Sequence, residues 1–269
     1  MNDPWQTLRQ FTQARIAQGR AGYGIRTSSM LDFQLAHALA RDAVHLPWDV
    51  EAFAQGVKAL RMEPITLSTL VRDRMQYLKR PDLGRVLDQA SRVLLDGLAN
   101  PPIEVALTFS NGLSSTAIQS HGLNLLQAIV GTFNVGLLPG STSGPNESVL
   151  KQHVAIGPVC LVPNARVALS DEIGALLKAR ISIIVVGERP GLSASDSLGI
   201  YMTYNPHPAN TDAERNCISN IRPPDGMSCE DAAAKLFYLC RQAVKRRLSG
   251  VALKDDMSSI QRLDIDSIR

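Results

Sequence analysis

The chain has 269 residues, 45% hydrophobic and 20% charged, enough for one large core or two smaller ones. Its 28 basic and 25 acidic residues are interspersed, with a single short basic cluster at Lys245-Arg246-Arg247. That excludes the concentrated basic face of a typical nucleic-acid binder. No apolar run reaches the roughly 18 residues needed to cross a bilayer, and Met1-Asn2-Asp3-Pro4-Trp5 has no secretory apolar core, so the expected setting is cytoplasmic, away from membranes.

The first hundred residues read as helical. Thr12 to Gln18 carries helix formers and stops at Gly19-Arg20-Ala21-Gly22. Leu31, Leu35, Ala38 and Leu39 recur at helical spacing before Leu46-Pro47. Leu83, Val86, Leu87, Ala90, Val93 and Leu94 form a third stripe, with Asp82 as N-cap and Asn100-Pro101-Pro102 as its stop. The apolar face of this helix, over 83–98, is expected to pack in a subunit or domain contact.

Beyond Pro102, strands and helices alternate. Ile103 to Phe109 is a β-rich run, followed by the turn Ser110-Asn111-Gly112-Leu113-Ser114-Ser115 and a helix with Ile118, Leu125, Leu126 and Ile129 on one face. Phe133 to Leu138 suggests a strand, Gly140 to Asn146 a loop, and Val154 to Val162 another strand bent at Gly157-Pro158. Ser170 is placed to cap a helix carrying Asp171 and Glu172 in its first turn. Ile181 to Val186 is a β-branched run of the kind buried on both faces of a parallel sheet. Ile200 to Tyr204 and Cys217 to Ile221 suggest further strands. Ser228 and Asp231 open a final amphipathic helix that Gly250 ends. The pattern predicts an α/β fold: a doubly wound, mostly parallel sheet in residues 101–250, preceded by a mainly helical region over 1–100 and followed by a flexible tail over 251–269.

In such a sheet, ligands gather beyond the carboxyl ends of the strands, where loops 110–115 and 187–195 are expected to meet. The loop from Gly187 to Ser195 follows a buried strand, and Glu188 in it either accepts a hydrogen bond from a ligand or sits in a solvated connection. The Ser110–Ser115 turn lacks dinucleotide and ATP-loop spacing, so it is either a donor set for a phosphate or amide-rich ligand or a simple capped turn. The cysteines at 160, 217, 229 and 240 form no CxxC pair and read as reduced, mostly buried thiols, with no structural metal site. Cys217 is a core thiol or a wall contact for a bulky ligand. The five histidines fit no nucleophile–base–orienter set, and neither Ser193 nor Ser195 lies in a GxSxG elbow.

Several collinear stretches resemble the small (light) subunit of ethanolamine ammonia-lyase. They are Val186-Gly187-Glu188-Arg189-Pro190-Gly191-Leu192, Ser195-Asp196-Ser197-Leu198 and Cys217-Ile218-Ser219-Asn220-Ile221. Gly19-Arg20-Ala21-Gly22 with Arg26-Thr27, Arg80-Pro81-Asp82-Leu83-Gly84-Arg85 and Gly112-Leu113-Ser114 join them, covering about residues 10 to 250. The resemblance implies a Rossmann-like domain that holds one side of adenosylcobalamin against a large TIM-barrel subunit, in a hetero-oligomer expected to hold six of each chain. It implies radical conversion of ethanolamine to acetaldehyde and ammonia, with the catalytic residues on the large subunit. The cytoplasm, or a bacterial microcompartment within it, is the implied location.

The family's cobalamin contacts carry over to Val167, Glu188 and Cys217. Glu188→Ala is accordingly expected to weaken cofactor retention without unfolding the chain. His37, His45, His121, His153 and His207 all lack the Asp two positions earlier that marks a cobalt-ligating histidine loop, which agrees with base-on binding. Asn111 and Thr116 stand where the family often has acids. The alternatives are a non-catalytic corrinoid-binding module and, further off, an enzyme acting on a small phosphorylated substrate.

Overall fold

A computed structural model describes residues 4–98, 103–135 and 155–257. Two strands buried at every position organise it: β2 (Val105–Ser110) and β4 (Ile181–Gly187). Strands covered on both faces carry apolar residues at every position rather than at alternate ones. β2 and β4 pair in parallel from Val105↔Ile181 to Ser110↔Val186. β3 (Ile156–Leu161) runs parallel to β2 on its other side, and β1 (Pro64–Thr66) lies parallel to β3 at the edge. Past β4 the direction reverses: β5 (Leu198–Tyr204) and then β6 (Asn216–Ile221) are antiparallel. The six-stranded, mostly parallel sheet thus has the order β1-β3-β2-β4-β5-β6.

The period-two alternation of side chains divides the core between the two faces of the sheet. Val105, Leu107, Phe109, Ile181, Ile183 and Val185 join α5 (Ser115–Val135) and α7 (Cys229–Arg246). An edge-to-face contact between Phe133 and Phe237, 5.2 Å between centroids, fastens α5 to α7. Ala106, Ile184 and Val186 face the other way, against Leu169 and Ile173 of α6 (Leu169–Leu176) and against Leu87 and Leu95. Leu95 belongs to α4 (Gln89–Leu98). The N-terminal part supplies α1 (Thr27–His45), α2 (Val50–Ala59), strand β1 and α3 (Arg74–Lys79).

Local structure departs from the sequence pattern at several places. Residues 12–18 are not helical; a 3-10 helix occupies Pro4–Phe11 instead. The stripe from Leu83 to Leu94 is not one helix. Leu83–Arg85 is a 3-10 turn, Val86 is extended, and Leu87 bridges to Thr69 before α4 starts at Gln89. Leu87 and Leu95 are buried within this chain's own core, whereas Val93 and Leu94 are exposed. Phe133 lies inside α5 rather than in a strand. Residues 136–138, the loop at 140–146 and the stop at 100–102 lie outside the described residues.

Ser170 sits within α6 and donates its hydroxyl to Val167 O (2.9 Å), so it does not cap the helix. Ser228 does cap α7, accepting from Asp231 N at 3.0 Å. The other end of α7 closes at Arg247 in the left-handed region, not at Gly250. After that, Leu253 is buried and Lys235 pairs with Asp255 at 2.6 Å, which pins residues up to 257 to the body.

Candidate functional site

The carboxyl ends of β2, β3 and β4 meet three loops, and a pair of glycines sets how closely they approach. Gly112 has φ +47°, and a Cβ on it would lie 2.4 Å from Gly187 O; a Cβ on Gly187 would lie 2.1 Å from Ser114 O. Only residues without a side chain let these strand ends come this close. Leu113 N donates to Gly187 O (2.9 Å) and Ser114 Oγ to Ser195 O (2.7 Å), so the two loops expected to meet are joined. Beside this junction opens a cleft of about 410 Å³, lined among others by Tyr77, Gly112, Arg166, Val167, Glu188 and Tyr201.

The Ser110–Ser115 turn spends its polar groups internally. Ser110 Oγ accepts from Gly112 N and Ala165 N, and Ser114 Oγ accepts from Ala117 N. Asn111 accepts from Asn164 N (2.8 Å) and donates to Ser115 Oγ (3.1 Å). The side chains of Ser110, Asn111, Ser114 and Ser115 are thus all bonded within the chain. The buried Asn111 joins two cleft loops, a role that uses both halves of its amide.

Val167 and Glu188 both border the cleft. Val167 is half-buried ahead of α6, where its carbonyl is engaged by Ser170, leaving its isopropyl group as the available contact. Glu188, at the exit of β4, has three donors of its own. Ser219 Oγ donates to Oε1 (2.5 Å), and Ser197 Oγ (2.6 Å) and Asn220 N (3.2 Å) donate to Oε2. The carboxylate thus clamps the start of β5 and the end of β6 to the end of β4, and Oε1 retains a free lone pair.

Cys217 is exposed, so it is not a core thiol. It lies opposite Tyr201 in the β5–β6 register. Desolvation of the sulfur, with the Glu188 charge adding to it, holds the thiol above its usual range, so it is present as neutral SH. Cys217 therefore meets the cleft through Tyr201. Burial also raises the Tyr201 phenol above its ordinary range, so it too stays neutral.

Three further residues at the cleft carry no motif. Tyr77, buried on α3, donates its hydroxyl to Ala165 O (3.1 Å). The Arg166 guanidinium lies 4.1 Å from the Tyr77 ring centroid and donates from Nη2 to Tyr77 O (3.0 Å). Arg74 lies 4.9 Å from the same ring and donates to Val44 O, Gly112 O and Asn164 Oδ1 at 2.7 to 2.9 Å. Burial lowers the Arg74 pKa and the Arg166 charge lowers it further, with the Tyr77 hydroxyl acting in the opposite direction. Arg74 and Asn164 are separated by 90 positions. No spacing rule connects them, and only the fold brings them together.

Among the described residues, no cluster of His, Cys, Asp and Glu could hold a metal ion, and no helix is long and apolar enough to cross a membrane. The cleft offers neutral hydroxyl and apolar surface together with the charged side chains of Arg166, Glu188 and Arg189. That chemistry suits holding a ligand rather than transforming one.

A family profile described as "Ethanolamine ammonia-lyase light chain (EutC)" matches residues 2–254. This chain belongs to that family. Curated relatives named "Ethanolamine ammonia-lyase small subunit" include one from Pseudomonas paraeruginosa (strain DSM 24068 / PA7), 46% identical over 99% of this chain and 92% of its own length. Another, from Azotobacter vinelandii, is 45% identical over 97% and 92%, and one from Ralstonia nicotianae is 46% identical over 94% and 88%. An ethanolamine ammonia-lyase light chain is one chain of a two-chain lyase, so a large subunit is its partner. A cleft fitted for holding is what such a chain needs if the reacting groups lie elsewhere.

Proposed function

We propose that this chain is the small subunit of an adenosylcobalamin-dependent ethanolamine ammonia-lyase, and that its Rossmann-like, doubly wound sheet holds one side of the cofactor, base-on, against a large TIM-barrel subunit. The observation that carries this reading is the open cleft at the carboxyl ends of β2, β3 and β4, bordered by Val167 and Glu188 in a light-chain family member. At about 410 Å³ it is too small to enclose a whole corrinoid with its nucleotide tail, and it suits one edge of such a molecule.

The residues fit that edge. Corrinoids carry peripheral amides, and Glu188 Oε1 keeps an accepting lone pair for an amide N–H after bonding Ser219. Val167, Leu113 and the Tyr201 ring supply apolar contact, and Cys217 SH supports Tyr201 from the neighbouring strand. When bound, adenosylcobalamin supplies the radical chemistry that turns ethanolamine into acetaldehyde and ammonia. This chain orients and shields it. The region over 1–100 makes the subunit contacts in this reading.

The test is co-expression with the large subunit, followed by aldehyde release from ethanolamine with and without adenosylcobalamin. Activity that requires both chains and the cofactor is the expected result. Corrinoid binding without aldehyde release would favour a non-catalytic corrinoid module, and absence of both association and binding would overturn the reading.

In that complex, Glu188→Ala is expected to weaken cofactor retention about tenfold, the cost of one charge-assisted hydrogen bond. The three internal bonds of Glu188 add a local effect, loosening the 217–221 segment and with it Cys217. Unchanged retention would remove Glu188 from the site.

A further inference from the structure

The charged lining of the cleft is unbalanced. Two guanidinium groups, Arg166 and Arg189, and one carboxylate, Glu188, border it, and Glu188 takes its hydrogen bonds from Ser197, Ser219 and Asn220, not from either arginine. Arg166 and Arg74 both rest against Tyr77, and among the described residues neither forms a salt bridge. Their hydrogen bonds go to carbonyls and one amide, which align a guanidinium but do not neutralise it. Each also keeps a buried N–H nitrogen with no partner, Nη2 of Arg74 and Nε of Arg166. Two cations held against one ring raise each other's free energy until an anion joins them.

Two amides of the Ser110–Ser115 turn are already engaged, Gly112 N with Ser110 Oγ and Leu113 N with Gly187 O, and neither faces a ligand. Of the two arginines, Arg166 is the one that lines the cleft. Its planar fork matches two oxygens of a phosphate, and stacking on Tyr77 fixes its orientation before the ligand arrives.

We propose that Arg166, positioned by Tyr77 and Arg74, is the receptor for a phosphodiester group in this cleft. The proposal deepens the functional reading above and rests on it: with a corrinoid as occupant, the anion is the phosphodiester joining the nucleotide tail to the ring system. Glu188 and Arg166 then hold chemically different parts of one ligand, the first an amide and the second the phosphate.

The experiment uses the assembled two-chain complex and two probes, adenosylcobalamin and adenosylcobinamide, which lacks the nucleotide tail and its phosphodiester. Affinities are read from the visible absorption of retained corrinoid after equilibrium dialysis. Arg166→Gln is expected to weaken adenosylcobalamin about tenfold or more while leaving adenosylcobinamide at the wild-type affinity. Arg166→Lys keeps the charge without the fork and should fall between the two. A merely structural role for Arg166 would weaken both corrinoids alike, and that result, or no change for either, overturns the proposal.

Should Arg166→Gln fail to assemble, the same two-probe comparison on Arg166→Lys decides: a loss confined to adenosylcobalamin supports the receptor, and anything else removes it. Should the wild-type complex bind neither probe, the functional reading fails by itself. Inorganic phosphate is then titrated against the same complex. A thermal midpoint that rises with phosphate in wild type but not in the Arg166 variant keeps the anion site, and no rise in wild type discards it.

Discussion

Arg215, just before β6, and Arg166, at the cleft, are both drawn out of water, and their surroundings differ in kind. Arg215 is 3% exposed and bonded to Asp171, itself 1% exposed, through Nε and Nη2, with Asp212 on Nη1 at 2.6 Å and Asn210 O on Nη2 at 2.9 Å. Ser182 Oγ completes the Asp171 shell. Arg166 shares a tyrosine face with a second arginine and has no carboxylate. The first arrangement is closed, each charge matched inside the chain, and it ties α6 and β4 to the segment entering β6. The second is left open toward the cleft. A buried charge that a protein balances internally works as a staple, and one left unbalanced beside a cavity is available to a ligand.

Removing one partner from each setting should therefore give very different losses. Arg215→Ala leaves Asp171 as an unpaired buried carboxylate and is expected to lower stability by about 3–5 kcal/mol in urea unfolding. Arg166→Gln, at a half-buried position with carbonyl partners, is expected to lower it by about 1 kcal/mol, close to one net hydrogen bond. Equal losses would erase the distinction between staple and receptor. Between those two in size is the glycine junction that holds the cleft in shape. Gly187→Ala places a methyl against Ser114 O and Asn111 O and should cost about 1–3 kcal/mol, typical of overpacking. An unchanged thermal midpoint would show that the two loops have room to part.

The two settings also differ in how far the sequence announced them. The central strands were legible because burial on both faces leaves β-branched residues at nearly every position, as in Ile181–Val186. α5 and α7 were legible from long apolar stripes, and the meeting of loops 110–115 and 187–195 followed from where strands end in a parallel sheet. The stripe from Leu83 to Leu94 misled because helical spacing was supplied by two different structures. Leu87 reaches the core from an extended residue and Leu95 from α4, while the 3-10 turn between Leu83 and Arg85 is anchored by Arg166 N donating to Gly84 O. Three-residue β1 is too short to leave a period. Asp171 and Glu172 read as dipole-favoured charges, yet both serve distant partners: Asp171 binds Arg215, and Glu172 accepts from Arg92 Nε (2.6 Å) and Leu87 N (3.0 Å). Tyr77 and Arg166 meet across 89 positions, which only the folded chain brings together.

The smallest expected effect tests the outer edge of the staple. Glu214 closes a capping box on the 3-10 turn Asp212–Glu214, accepting from Thr211 N (2.7 Å), Thr211 Oγ (3.0 Å) and Asn210 Nδ2 (3.0 Å). The Thr211 backbone N–H is the leading cause that holds this carboxyl below its ordinary 4.5, with the Thr211 hydroxyl and Asn210 next. A folded-state pKa below the unfolded one means stability that is fully present above the unfolded pKa and lost as pH falls through the folded value. Glu214→Gln should therefore lower the thermal midpoint slightly at neutral pH, and the gap from wild type should close as the pH drops below about 4.5. Because Asn210 and Asp212 both bind Arg215, a loosened turn would also weaken the staple from its solvent side. A gap that persisted undiminished in acid would mean that the cap holds Arg215 in place through its shape and not through its charge.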